Sequence, residues 1–155
     1  HVPRPLLKEL SHSVRRGAQC FVFVPRIDLI DPLVKKLSDC FAGVRVDGTS
    51  SRDAERSDKV LEFRKGAIRI LVTTTILERG VTVPKTDVFV LDADAPIFDE
   101  NALVQMAGRA GRSADDPRGR VFFCAPQKNR AQVKARRQIR RMNRLARKLG
   151  LHYEQ

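Results

Sequence analysis

The stretch Cys-Phe-Val-Phe-Val at residues 20–24 is an uninterrupted apolar run. A run of this length predicts a strand that is buried on both faces, which is typical of parallel sheets. Two further apolar segments lie at residues 68–73 and 88–91, and patterns of helical period separate the three. Short apolar strands that alternate with helices predict an α/β fold, with a mainly parallel sheet covered by helices on both faces.

The same patterns extend over the whole chain. Helical periodicity, short apolar runs and the Gly and Pro residues between them set the expected bounds. The expected elements are a helix at 5–16, strand 20–24, a helical stretch ending at 37, strand 44–46, helix 52–64, strand 68–73, strand 88–91, helix 100–110, strand 121–124 and a long helix at 128–149. A polar turn at 47–51 precedes the third helix, and Ser51 is its expected N-cap.

Length and composition fit one compact domain, residues 1–155. The chain has 42% hydrophobic residues and no apolar run long enough to cross a bilayer. Without a signal peptide at its start, the expected location is cytoplasmic. The three cysteines and three histidines form no ligand pattern, so we expect buried reduced thiols and no metal site.

The net charge of +12 is concentrated near the end of the chain. Residues 117–153 contain twelve Lys and Arg and no Asp or Glu, so the eighteen other basic residues match all eighteen acidic ones. A basic segment of this density predicts a negatively charged partner, most often nucleic acid and less often an anionic membrane surface. A solvated face without a ligand is the alternative.

The segment QMAGRAGR at residues 105–112 places two arginines, Arg109 and Arg112, three positions apart on one side of a helix, with glycines beside them. Guanidinium groups bind phosphate oxygens in a planar, bidentate manner. In a phosphoryl-transfer site they neutralise the charge that develops on the γ-phosphate. An exposed helix end without a ligand is the alternative.

Two other segments carry polar groups at strand ends. TTTILERGVTVP at residues 73–84 offers hydroxyls that suit a nucleic-acid phosphate, and Gly80 would let the chain pass close to a nucleotide. DGTSSRDAERSDKVLEFRKG at residues 47–66 opens with small hydroxyl residues at a helix start, where anions bind readily. Ordinary β-forming threonines and a capped structural helix are the respective alternatives.

The order of these segments, FVFVPR, then DG with a later FRKG, then TTTILERGVTVP and QMAGRAGR, resembles motifs IV, V and VI of superfamily 2 helicases. The wording ALVQMAGRAGR and the later QIRRMNRLARKLG resembles the ComFA-type competence ATPases, with PriA-like and RecG-like helicases as more distant relatives. The resemblance extends to about residue 150 and implies a RecA-like three-layer α/β/α domain.

The resemblance also implies a role for the arginines at the ATP γ-phosphate. Arg112 would be the arginine finger, with Arg109 beside it, and Gln105 would couple the nucleotide state to the other motor domain. The residues implied for the nucleotide are Gly80, Thr82, Arg109 and Arg112. Many relatives have Asp where this chain has Thr82, so an acidic contact to ribose or metal is missing at that position.

Nucleic-acid contacts are implied for the loops at the strand ends. The family places these loops along the nucleic-acid backbone, and ligands of parallel sheets gather at the carboxyl ends of the strands. The residues implied are Thr74, Pro25, Arg26, Gly48, Thr49 and Arg52.

Half of an ATPase site is missing from the sequence. It contains no G-x-x-x-x-G-K-[ST] and no acidic D-E-x-x motif on a strand, so nothing would cradle the β-phosphate or hold Mg²⁺. The resemblance implies that ATP and its Mg²⁺ are held by an absent N-terminal RecA-like domain of the same protein. We expect this chain to be inactive alone.

The last helix, residues 127–150, is amphipathic. Ala135, Ile139, Met142, Ala146 and Leu149 share one apolar stripe, which should dock on the sheet domain. The opposite, basic face consists of Arg136, Arg137, Arg140, Arg141, Arg144, Arg147 and Lys148. We expect Arg137, Arg140, Arg141 and Arg144 to follow the backbone of single-stranded DNA without reading its sequence.

Three functions remain open at this point. The resemblance favours the C-terminal motor domain of an ATP-dependent DNA helicase or translocase of the competence type. The same motifs fit half of an RNA helicase. The basic helix could instead dock on an acidic partner among membrane-associated DNA-uptake proteins, which would place the protein at the membrane periphery.

Overall fold

The computed structural model describes residues 2–74, 85–109, 119–124 and 130–148, with the side chains of the last helix described as far as Arg141. Ten helices and strands form in the order expected from the sequence over these ranges. They are α1 (Arg4–Arg15), β1 (Gln19–Phe23), α2 (Ile30–Cys40), β2 (Val46–Thr49), α3 (Arg56–Arg64), β3 (Ile70–Thr73), β4 (Thr86–Leu91), α4 (Glu100–Ala107), β5 (Val121–Cys124) and α5 (Arg130–Lys148). A 3-10 turn, Ile27–Leu29, leads into α2.

The five strands form one sheet in the order β2-β3-β1-β4-β5, and every pairing between them is parallel. Phe23 at the end of β1 is in register with Thr73 of β3 and with Val90 of β4, and Thr73 is in register with Thr49 of β2. The carboxyl ends of these strands therefore lie along a single edge of the sheet, where parallel α/β folds bind their ligands.

Helices cover both faces of the sheet, which confirms the three-layer α/β/α class. Leu6 and Leu10 of α1 and Ile30 and Leu37 of α2 are buried against one face. The other face packs against α3, α4 and α5. The buried residues that these three helices contribute are Val60, Phe63, Leu103, Met106, Ala107, Ala135 and Ile139. The three central strands β1, β3 and β4 are buried almost along their whole length by this double cover, which accounts for their apolar sequences.

The structure corrects the region around β2. The strand begins at Val46 and runs to Thr49, so it replaces the first half of the turn expected at residues 47–51. Ser51 is not an N-cap, since α3 begins only at Arg56 and its N-cap is Glu55. The helix ends as expected at Arg64, with Lys65 as its C-cap, and the next residue, Gly66, has a φ of 85°, a left-handed conformation that favours glycine.

A buried carboxylate joins α1 to the amino edge of the sheet, the side on which the strands begin. The carboxylate of Asp87 at the start of β4 is fully buried and accepts hydrogen bonds from Ser13 Oγ at 2.5 Å and Arg16 Nη2 at 2.7 Å. It also accepts from Arg120, through the backbone N–H at 2.9 Å and Nη2 at 3.4 Å.

The Cys20 thiol lies close to this network. Burial, as the main cause, and the charge of Asp87, as the second, raise the pKa of the thiol to about 12.

The expectation of buried thiols is only partly met. Cys20 is buried, Cys124 is partly buried and Cys40 is exposed at the end of α2, where the helix surface faces solvent. In the described part of the chain no helix is long and apolar enough to span a membrane. The same residues contain no group of three or more His, Cys, Asp or Glu placed to hold a metal ion.

Candidate functional site

The carboxyl edge brings together polar turns that follow three adjacent strands. Pro25 and Arg26 follow β1, Arg52 lies in the turn after β2, and Thr74 is the first residue beyond β3. Because β2, β3 and β1 are neighbours in the sheet, these four predicted residues share one side of the molecule. The guanidinium groups of Arg26 and Arg52 are exposed there.

Gly48 and Thr49 were expected in the turn but lie inside β2. A Cβ built on Gly48 would stand 2.4 Å from Ile30 Cγ2 and 3.0 Å from Val34 Cγ2, so the glycine lets α2 pack closely on the strand. Thr49 is 3% exposed and its hydroxyl donates to Asp53 Oδ2 at 2.9 Å. Packing therefore accounts for both residues at these positions, and a nucleic-acid contact at either one stays a prediction.

A local network shapes the turn between β2 and α3. Asp53 accepts hydrogen bonds from Thr49 Oγ1, from Lys59 Nζ at 2.8 Å and from the backbone N–H of Glu55 at 2.9 Å. Lys59 Nζ also donates to the carbonyl of Gly48 at 2.9 Å. One ammonium group thus joins the end of β2 to the start of α3, and the turn that carries Arg52 is held between them.

The network shifts the pKa of both charged partners. The hydrogen bond from Lys59, followed by that from the Glu55 N–H, lowers the pKa of the Asp53 carboxyl. Burial acts against the charge of Lys59, but the carboxylates of Asp53 and Asp47 outweigh it and raise the pKa of the ammonium. Both groups are charged at neutral pH, which keeps the network intact there.

A polar cavity of about 230 Å³ lies beside this network. It opens between the turn after β1 and the turn after β2, and its apolar wall is Ile27 and Ile30. The polar lining comes from Asp31, Thr49, Ser50, Asp53 and Lys59. Hydroxyl, ammonium and carboxylate groups together offer both donors and acceptors to a ligand at the carboxyl edge.

Thr74 lies where the sequence placed it, but it is only 8% exposed. Its neighbour Thr73 is 1% exposed, and the Thr73 hydroxyl has no hydrogen-bond partner among the residues that the structure describes. A buried hydroxyl without a partner is costly. The end of β3 is therefore a polar position that the packing of the fold does not explain. Gly80 and Thr82, predicted to approach the nucleotide, lie outside the described residues.

Helix α4 leads into the arginine segment. Asp99 caps it by accepting a hydrogen bond from the N–H of Ala102 at 2.8 Å, and the helix ends at Ala107, before the expected residue 110. Gln105 is exposed on this helix, and Arg109, just beyond its end, is partly buried. Arg112, the predicted arginine finger, lies outside the described residues.

Helix α5 presents its arginines as expected, with one correction. Arg137, Arg140 and Arg141 are exposed, and the side chain of Arg144 is outside the described part. Arg136 was expected on the basic face but is partly buried, with its guanidinium 5.7 Å from the centre of the Phe123 ring. A cation over an aromatic face is stabilised by the ring quadrupole, so Arg136 anchors the helix to β5.

The docked face of α5 agrees with the predicted stripe where it is described. Ala135 and Ile139 are buried in the same cluster as Leu103 and Met106 of α4. Gln138 Nε2 donates to Glu100 Oε1 at the start of α4. This contact and the Asp53–Lys59 pair leave no signal in the sequence, because the spacing of the residues in each pair follows no helical or strand period.

Known proteins similar to this chain include competence proteins and DNA helicases. The family described as the helicase conserved C-terminal domain matches residues 2–114. Competence protein ComFA of Bacillus subtilis (strain 168) is 40% identical over 150 residues, which are 96% of this chain and 32% of that protein. The ATP-dependent DNA helicase RecG of Staphylococcus epidermidis (strain ATCC 12228 / FDA PCI 1200) is 32% identical over 119 residues, 70% of this chain and 17% of that protein.

The chain therefore spans about a third or less of the length of these relatives. Among solved structures, domain 2 of the DEAD-box helicase Mss116p, described as bound to an RNA duplex, superposes with a TM-score of 0.65 at 19% identity. The superposition covers 79% of this chain and 49% of that one. Likeness at this identity shows the fold, which is that of a second RecA-like helicase domain.

Proposed function

The chain belongs to the helicase conserved C-terminal domain family, and from that premise we propose that it is the C-terminal motor half of an ATP-dependent DNA helicase or translocase of the competence type. The similarity to ComFA carries this proposal. It covers 96% of the chain, so it reaches beyond the helicase motifs and into α5. The gathering of Arg26, Arg52 and Thr74 at one sheet edge supports the nucleic-acid half of the proposal.

The chemistry proposed for this half is electrostatic. Arg112, with Arg109 beside it, neutralises the charge that builds on the γ-phosphate, and Gln105 couples the nucleotide state to the partner domain. Gly80 and Thr82 lie along the nucleotide. ATP and Mg²⁺ are held mainly by the N-terminal RecA-like domain of the full-length protein, whose P-loop this sequence lacks, so this chain alone does not turn over ATP.

The nucleic acid is single-stranded DNA, held through its phosphates. The turns at the carboxyl edge provide Pro25, Arg26, Arg52 and Thr74, together with Gly48 and Thr49 at the end of β2. The exposed Arg137, Arg140 and Arg141 of α5, with Arg144, extend the positive surface. Contacts of this kind give affinity that falls steeply with salt and does not depend on base sequence.

Replacement of Arg112 tests the ATPase role. In the full-length protein, Arg112→Ala should lower the DNA-stimulated turnover number on the order of 10³-fold, the usual consequence of losing an arginine finger. Affinity for DNA should stay within about twofold. Arg4→Ala, an exposed arginine of α1, is the matched control and should change neither. Unchanged turnover in the Arg112 variant would remove Arg112 from the catalytic site.

Charge reversal on α5 tests the DNA surface. Removal of the whole helix would uncover the core, because Ala135 and Ile139 are buried, so Arg137→Glu with Arg141→Glu is the better change. Anisotropy with single-stranded DNA, duplex DNA and RNA across a salt series should show weaker binding and a shallower salt dependence in the variant. Retained DNA affinity with lost binding to anionic vesicles or acidic protein would favour the docking function, and a preference for RNA strands would favour an RNA helicase.

A further inference from the structure

Helix α5 is fixed to the helix that carries the arginine segment. Its buried face packs on Leu103 and Met106 of α4, and Gln138 hydrogen-bonds Glu100, the first residue of that helix. Arg136 makes a second anchor on Phe123 of β5. The basic helix is therefore part of the core of the domain, and a displacement of α5 would act directly on α4.

Helix α4 is short enough to move as one body. Its eight residues span about 12 Å at the usual rise of an α-helix. Glu100 stands at one end, and at the other Gly108 leads directly to Arg109 and the rest of the arginine segment, with exposed Gln105 in the last turn. Because a hydrogen-bonded helix of this length is rigid, a displacement of Glu100 also displaces Gln105 and Arg109, the residues proposed to act at ATP.

The residue that holds Glu100 is flanked by the proposed DNA contacts. Gln138 is next in sequence to Arg137, which is exposed, and Arg141 lies one helical turn further on. Residues three or four apart share one side of a helix, so Gln138 and Arg141 are also neighbours in space. A DNA strand bound by Arg137 and Arg141 would therefore act on the helical turn that carries the contact to α4.

We propose that the Gln138–Glu100 contact couples DNA binding on α5 to the position of Gln105 in α4 and of Arg109 just beyond it, so that DNA increases the rate of ATP hydrolysis through this pair. The inference rests on the proposed function of the domain. Gln138 and Glu100 are positioning residues that touch neither ATP nor its phosphates. Coupling between two sites of this kind commonly changes a rate or affinity between fivefold and about 150-fold.

The test uses the full-length protein and measures two quantities for each variant. These are the dissociation constant for single-stranded DNA, by anisotropy, and the turnover number for ATP with and without saturating DNA. Gln138→Ala should lower the DNA-stimulated turnover number on the order of tenfold, with the basal rate and the dissociation constant both within about twofold of the parent. Val133→Ala, an exposed and uncharged position of α5, is the matched control and should change none of the three.

A reciprocal exchange separates coupling from a loss of structure. In Glu100→Gln with Gln138→Glu, an amide again faces a carboxylate, so the double variant should regain most of the stimulation that Gln138→Ala loses. Full stimulation in Gln138→Ala would overturn the coupling. A parallel loss of basal turnover, or of DNA affinity, would also overturn it, because the pair would then serve folding or binding alone.

Failure of the proposed function gives a different pattern. If the unmodified full-length protein shows no increase in ATP turnover with DNA, the proposed motor function fails and the coupling fails with it. If the unmodified protein is stimulated and Gln138→Ala is stimulated equally, the motor function stands and only the coupling is lost.

Discussion

The two edges of the sheet are built from polar residues in opposite ways. At the amino edge, Asp87 is bonded to Ser13 and Arg16, which lie 74 and 71 positions away in sequence, and its carboxylate is fully buried. At the carboxyl edge, Asp53 is bonded to Thr49 and Lys59, four and six positions away, and Arg26 pairs with Asp28 in solvent. The first edge joins distant segments of the chain, and the second shapes single turns.

Residues at the amino edge therefore stabilise the fold, whereas exposed residues at the carboxyl edge are available to bind a ligand. A buried charge that loses its partner is strongly destabilising, so the amino edge tolerates little change. A turn held by local bonds keeps its shape while its other side chains remain exposed. We therefore expect substitutions at the amino edge to change stability, and substitutions at the carboxyl edge to change DNA binding.

The largest expected effect is at Asp87. Asp87→Ala leaves Arg16 and Arg120 beside a buried position without their carboxylate and should lower the free energy of unfolding by about 3–5 kcal/mol. Urea denaturation measures it, and Asp28→Ala, an exposed carboxylate, should cost less than about 1 kcal/mol. Equal costs for the two variants would mean that the amino edge does not hold the fold.

The next largest effect is expected at Gly48, which lies at the carboxyl edge but is packed against α2 and so tests whether a residue there stabilises the fold or binds DNA. Gly48→Ala forces a Cβ to within 2.4 Å of Ile30 Cγ2, and overpacking of this kind should cost about 1–3 kcal/mol of stability. The affinity of the folded protein for DNA should stay within about twofold, because the added Cβ points at α2 and leaves the backbone of Gly48, the only part of a glycine that a phosphate can contact, unchanged. Ser51→Ala, exposed in the next turn, is the control, with an effect within about 0.5 kcal/mol. Unchanged stability with lost DNA affinity would instead mean that the Cβ position of Gly48 faces the nucleic acid and not α2.

A smaller, pH-dependent effect belongs to Asp53. Because the folded pKa of its carboxyl is lowered, its contribution to stability is present above the ordinary carboxyl pKa and is lost as pH falls through the lowered value. Asp53→Asn should therefore lower stability by about 1 kcal/mol near pH 7, and the difference from the parent should disappear well below about pH 4. Thermal melts from pH 3 to pH 8 measure it. A difference that persists undiminished at pH 3 would exclude the Lys59 ion pair as its source.

Sequence patterns predicted the fold well because the parallel sheet is double-covered. The apolar runs at residues 20–24, 68–73 and 88–91 have the length of buried strands, and their structural counterparts β1, β3 and β4 differ by one or two residues at their ends. The strand whose predicted bounds were wrong is β2. Its sequence Val-Asp-Gly-Thr is polar and contains glycine, so local propensity indicated a turn, whereas pairing with β3 and packing under α2 make it a strand.

The candidate site was predictable only for the residues that follow the ends of strands. Arg26, Arg52 and Thr74 could be placed at a common edge because parallel strands share their carboxyl ends. The Lys59–Asp53 pair depends on the shape of the turn before α3. The Gln138–Glu100 contact and the cation–π contact of Arg136 with Phe123 depend on how α5 packs on α4 and β5. Side-chain periodicity specifies none of these. Arg136 is an example. A helical wheel predicts that it faces solvent, whereas its guanidinium contacts the Phe123 ring of β5.

The smallest expected effect is at Asp28 on the carboxyl edge. Asp28 and Arg26 form an ion pair with side chains 68% and 67% exposed, so Asp28→Asn should change the free energy of unfolding by less than about 0.5 kcal/mol. It also frees the Arg26 guanidinium for a phosphate, and we expect DNA affinity to rise about twofold to fivefold at low salt, since such pairs contribute up to about 1 kcal/mol. The gain should vanish as salt screens the charges.

The control for this prediction is Asp39→Asn. Asp39 is exposed near the other end of α2, so its substitution makes the same change in net charge away from Arg26 and should give a smaller gain in anisotropy titrations. Equal gains would assign the effect to overall charge, and the absence of a gain in either variant would remove Arg26 from the DNA contact.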